Sequence, residues 1–178
     1  MHAAFPPIGD VNWPSAKPSP RRNNMATPAD AELVLKLYDL RREAKMRDAR
    51  NWFANFNPTS YEEFVKTIFA WGSQENAYFR QVTGYWDMAA SLVLHGTIDK
   101  KLFLDTQGEL WFVYTKLKPY LAQMRQQLNS PEAFKHLEEV ATGSPEGQER
   151  IRLMEERMKM FAQMRAQGQQ AQAAKKTA

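Results

Sequence analysis

The chain has 178 residues, 43% of them hydrophobic, with five Trp, ten Phe and six Tyr, a net charge of +4 and no cysteine. That length and aromatic content suffice for one domain with a packed core plus tails, which excludes global disorder. The lack of thiols excludes a disulfide framework, thiolate metal ligands and cysteine nucleophiles, and suits a cytoplasmic protein.

No apolar run approaches the ~18 residues that suggest a membrane span, and the first residues lack the apolar segment of a secretory signal. The excess positive charge gathers toward the two ends, while the middle of the chain is weakly acidic. A phosphate-tracking surface over the whole domain is therefore not expected.

Residues 1–26 read as a disordered, proline-rich leader, with five of the ten prolines in MHAAFPPIGDVNWPSAKPSPRRNN and no apolar period. Met25-Ala26 also reads as a second translation start, because a helix start follows it at once. Thr27 as N-cap, Pro28 at the first helical position and Asp30 in the first turn predict a helix over 28–54, with Leu33, Leu37, Leu40 and Ala44 facing a core. Asn57-Pro58 breaks the chain. Thr59 with Glu62 and Ser60 with Glu63 are capping boxes for a second helix carrying Tyr61, Phe64, Val65, Ile68 and Phe69.

A third helix, after Gly72-Ser73, ends at His95 with Gly96 as its stop. Thr97 is expected to cap a short fourth helix carrying Ile98, Leu102 and Phe103. Thr106 with Glu109 predicts a capping box for a fifth helix, whose core face runs from Leu110 through Val113, Tyr114, Leu117, Leu121 and Met124 to Leu128. Pro119 predicts a kink in it. Ser130-Pro131 and Ser144-Pro145 are N-cap and N1 pairs for two more helices. No stretch alternates with period two between hairpin signals, so no strand is expected. The pattern gives an all-α, single-domain bundle or array of about six to seven helices. It divides into a helical core over 27–143, a long amphipathic C-terminal helix over 144–167 and a disordered tail over 168–178.

Within YWDMAASLVLHG, Asp87, Ser91 and His95 recur every four residues and carry the residue types of a hydrolytic triad. A triad needs its histidine between nucleophile and acid, and eight helical residues separate Asp87 from His95 by about 12 Å. They are expected to form a solvated polar strip, while Tyr78, Val82, Tyr85, Trp86, Ala89, Leu92 and Val93 face the core. His136, with Glu132 and Glu139 on its face, reads as a surface ion-pair group rather than a metal ligand. The run RREAKMRDAR (Arg41 to Arg50) reads as a solvated face laced by Asp39, Glu43 and Asp48. The aromatics around NWFANF, FAWG and ELWFVY follow helical core periods rather than the cation-interleaved pattern of single-strand binders. No catalytic, cofactor or metal residues are assigned.

The stretch Gly84 to Arg125 resembles the shared core of an uncharacterised bacterial all-helical family, a domain of unknown function. There an aromatic helix ends at Gly before a short Ile-Asp segment, and a Trp-containing helix with basic residues follows. The resemblance implies an all-helical bacterial protein and brings no catalytic residues. Members often carry a membrane-anchoring N-terminal helix, and this leader is proline-rich and polar instead.

In RIRLMEERMKMFAQMRAQ, Ile151, Met154, Met158 and Phe161 form a stripe expected to pack on the bundle. Leu153, Met160 and Met164 form a second stripe on nearly the opposite side and are the candidate partner-binding residues, meeting a second copy or another protein's helix. The expected function is a non-enzymatic helical interaction or scaffold protein. The alternative is a nucleic-acid-associated regulator that uses the basic ends.

Overall fold

The computed structural model describes residues 25–177, and their side chains as far as Gly168. Up to Asn24 the expected leader lies outside the described residues. Among the described residues there are eight α-helices and no strand.

The first helix, α1 (Pro28–Arg42), starts as its sequence dictates. The Thr27 hydroxyl oxygen accepts from the Asp30 amide, and the Asp30 carboxylate accepts from the Thr27 amide at 2.8 Å. The other Asp30 oxygen accepts from the Asp99 amide at 2.9 Å, so this buried carboxylate also ties the start of α1 to a segment 69 residues away.

The helix expected over 28–54 is two helices. Glu43 leaves the helical conformation (φ −55°, ψ 141°) and caps α2 (Ala44–Asn55) by accepting from the Met46 amide at 2.9 Å. The Lys45 and Met46 amides hold the Glu43 carboxyl below the usual carboxylate range. This break resets the helical phase. Val34 and Leu37 are buried on α1 and Met46, Ala49 and Phe53 on α2, while Leu40 and Ala44, expected in the core, are exposed.

Ser60 caps α3 (Tyr61–Ile68), whose Phe64 and Ile68 are buried. Central α4 (Gln74–Leu94) contacts α2, α3 and α5 (Lys100–Thr106), as well as α6 (Glu109–Gln127) and α7 (Lys135–Thr142). Its C-terminus closes as expected: Gly96 adopts φ +67°, its amide donates to Val93 and the Thr97 amide to Leu92. Two expected caps fail. The N-cap of α5 is Asp99 rather than Thr97, and α6 begins at Gly108 without a side-chain cap. Thr106 donates instead to the Leu102 carbonyl of its own helix, and Glu109 is engaged by α1 and α2.

The core face of α6 is buried from Leu110 to Met124, and the helix continues through Pro119. Trp111 donates to the Ala141 carbonyl at 3.2 Å. Lys116 is 9% exposed and donates to the Phe53 and Ala54 carbonyls, in the last turn of α2, at 2.7 and 3.1 Å. Burial, and less strongly the Arg165 guanidinium, pushes its ammonium from 10.5 down to about 8.

Between about pH 8 and pH 10 the unfolded chain therefore binds more protons than the folded one, so stability should rise with pH by about 2 kcal/mol. Burial pushes the Tyr85 and Tyr114 phenols up from 10 to about 12, which acts with the opposite sign. Above about pH 10 the unfolded state loses phenolic protons that the folded state keeps, and stability falls. Urea midpoints measured in pH steps should peak near about pH 10. Lys116→Met should flatten the rise and leave the fall.

The last helix, α8 (Pro145–Thr177), starts as expected, with the Ser144 hydroxyl oxygen accepting from the Gly147 amide at 3.0 Å. The helix spans 33 residues.

Candidate functional site

Of the polar groups that could carry chemistry, Ser91 and His95 bond carbonyls of their own helix, whereas Asp87 reaches another helix. Ser91 donates to the Met88 carbonyl at 2.8 Å, and His95 Nδ1 lies 2.8 Å from the Ser91 carbonyl oxygen. Because a carbonyl only accepts, that ring nitrogen carries the proton. Asp87 is not in a solvated strip. One of its carboxylate oxygens accepts from the Leu137 amide at 3.0 Å, and the other lies 3.3 Å from His136 Nδ1.

Asp87 thereby caps α7 from another helix. The expected cap, Ser130, sits in a turn upstream, and α7 starts behind Phe134 (φ +57°), which offers no side-chain cap. Glu132, expected beside His136, pairs with Lys135. The His95 and His136 rings are 6.3 Å apart, and among the described residues no group of three or more His, Asp or Glu is placed to hold a metal ion.

Losing the cap has a measurable consequence. Asp87→Ala should cost about 1–2 kcal/mol, as for other lost N-caps, and Asp87→Asn, which keeps an acceptor, should cost much less. Urea midpoints of the two variants test this.

The basic run also finds its partner elsewhere in the chain. Arg41 and Arg50 both bond Glu109 on α6, at 2.6 Å each, rather than the acids within their own run. Most of the aromatics pack as expected, for example Phe64 stacked on Tyr120 at 4.3 Å. Trp71 departs from that pattern: it is 71% exposed in the turn before α4, with the Arg80 guanidinium 5.6 Å from its ring centroid.

Among the described residues the outer face of α8 carries a row of exposed apolar side chains, as does α1 at Leu35, Tyr38 and Leu40. The root of α8 is anchored by buried Ile151, by Arg150 lying 4.4 Å from the Trp111 ring centroid and donating to the Leu104 carbonyl, and by a Lys118 to Glu155 pair at 2.7 Å. Met154 and Met158 are half-buried, but Phe161, expected to pack with them, is 53% exposed. Packing on the bundle ends at Met158 because every described side chain from Lys159 to Gly168 is exposed. Leu153, Met160 and Met164 are 37%, 49% and 47% exposed, and 100° per residue places them on one face. Nothing in the sequence alone distinguished Phe161 from a core residue.

Fold and site thus define an all-helical domain, α1–α7, with one long helix attached. The chain belongs to the family described as "Domain of unknown function (DUF4760)", whose model matches residues 26–144. The match includes the Gly84 to Arg125 stretch and stops just before Pro145, so α8 lies beyond it. No curated protein and no solved structure matches the chain. Among the described residues no helix is long and apolar enough to cross a membrane.

Proposed function

We propose that this is a non-enzymatic, cytoplasmic helical interaction protein in which the matched domain is a platform and α8 is the docking element. The observation that carries this reading is the uncovered apolar face of α8, with Leu153, Met160 and Met164 in line and Phe161 beside them. An isolated helix gains most of its stability from packing an apolar face, and methionine-rich faces adapt to partner helices. The non-enzymatic part is supported by Ser91, His95 and Asp87, which bond backbone groups of α4 and α7 rather than one another's side chains.

A photo-crosslinking residue placed at Met164 in native cells should form a protein adduct. Adding Met160→Glu to that chain should abolish it. No adduct with the otherwise native chain would overturn the reading. The second reading, contact with nucleic acid, is favoured by one feature: Arg157, Lys159, Arg165, Lys175 and Lys176 follow Glu156 with no further acid. A mobility shift that weakens steeply with salt, together with adducts to nucleic acid instead of protein, would select it.

A further inference from the structure

We infer that α8 pairs antiparallel with α8 of a second copy of this chain, the dyad falling midway between Met160 and Met164. This deepens the docking reading above and rests on it. Charge sets the direction of the pair. Residues 145–156 contain Glu146, Glu149, Glu155 and Glu156 against Arg150 and Arg152, a net charge of −2. Residues 157–178 contain five cations and no acid, a net charge of +5.

Two parallel copies would set the all-basic ends side by side, and like charges facing each other are destabilising. Antiparallel copies about residue 162 set residues 168–178 (net +2) along residues 146–156 (net −2) of the other, with Lys175 level with Glu149, while the middle residues 157–167 meet their own counterparts in either arrangement. The root acids are accessible for this. Glu149 and Glu156 bracket Arg152, and Glu146 pairs with Arg150, all on exposed side chains or partly exposed ones. Exposed pairs of this kind are weak and can be shared with a second set of cations.

The apolar residues agree with the same arrangement. With the dyad at residue 162, Met160 of one copy lies level with Met164 of the other, so the two most central exposed methionines fill each other's gap. The root keeps its bundle contacts throughout, because Ile151, Met154 and Met158 lie on the face nearly opposite Leu153 and Met160. An isologous contact of this form closes at two copies and leaves no repeating surface.

The absence of native cysteine makes the test direct. In the antiparallel pair the two copies of residue 160 are offset by about 6 Å along the axis and the two copies of residue 153 by about 27 Å. With a thiol crosslinker spanning about 10 Å, Met160→Cys should therefore crosslink to itself and Leu153→Cys should not. Light scattering of the full chain should give the dimer mass. Met160→Glu with Met164→Glu should give the monomer mass with an unchanged thermal midpoint.

Equal crosslinking at both positions means a parallel pair and overturns the inference. A full chain that stays monomeric at every attainable concentration, yet forms adducts with another protein in cells, overturns the second copy as occupant while the docking reading stands. A monomer without any adduct overturns both.

Discussion

Replacing Trp86 with alanine should lower the unfolding free energy by about 3–5 kcal/mol, the range for deleting a large aromatic side chain from a core. Trp86 is fully buried in the middle of α4, the helix that contacts α2, α3, α5, α6 and α7. Its ring meets Tyr85 edge-on at 5.1 Å between centroids, and the Arg41 guanidinium lies 5.2 Å from its centroid. Its indole N–H has no hydrogen-bond partner among the described residues. Trp86→Phe therefore gives up no hydrogen bond and should cost only about 1–2 kcal/mol, a volume loss. Urea denaturation of the two variants checks both figures. Equal losses would mean that the N–H, rather than the ring's volume, is what the core uses.

Trp86 also shows where sequence reading succeeds. The period of 3.6 residues through Val82, Trp86, Ala89 and Val93 places all four on the buried side, and the structure buries all four. The same holds for Phe64 and Ile68 on α3, and for α6 from Leu110 to Met124. Local chemistry was equally legible at Thr27, Ser60, Gly96 and Ser144, where the cap and the group it caps lie within five residues.

Two of the misreadings share a physical cause, namely a polar side chain that bonds to a distant segment. Asp87 looks like surface because its own helix offers it no partner, but the Leu137 amide, 50 residues away, does. Glu109 looks like half of a capping box with Thr106, but two arginines 59 and 68 residues before it compete for the carboxylate and win. Two guanidinium groups give this carboxylate several ionic hydrogen bonds where a cap amide offers one, so the tertiary partners prevail over the local one. The break at Glu43 differs, because its carboxylate accepts from the Met46 amide three residues on. RREAK is a run of good helix formers, and with its interruption Arg41 of α1 and Arg50 of α2 meet the same carboxylate, that of Glu109. The face of α8 was legible in part: the Leu153, Met160 and Met164 stripe is exposed as drawn, whereas Phe161 lies past the point where α8 is covered.

Removing that shared carboxylate should be the second large effect. Glu109 accepts from Arg41 at 2.6 Å and from Arg50 at 2.6, 2.8 and 3.0 Å, and the three side chains are only 14–30% exposed. Glu109→Ala would leave two guanidinium groups facing each other in a half-dry setting. Breaking a buried pair costs about 3–5 kcal/mol, and partial exposure here brings the expected loss to about 2–3 kcal/mol. Glu109→Gln keeps the acceptor oxygen without the charge and should fall between alanine and the native chain.

Because the residual penalty is repulsion between like charges, added salt should recover part of the loss in Glu109→Ala. Adding Arg50→Ala to it should recover more, a coupling that a double-mutant cycle measures directly. Arg41 touches both Glu109 and the Trp86 ring, so the losses from Trp86→Ala and Glu109→Ala should not add. Strict additivity of the two, together with no effect of salt on Glu109→Ala, would mean that the ion pairs contribute nothing to holding α1 and α2 against α6.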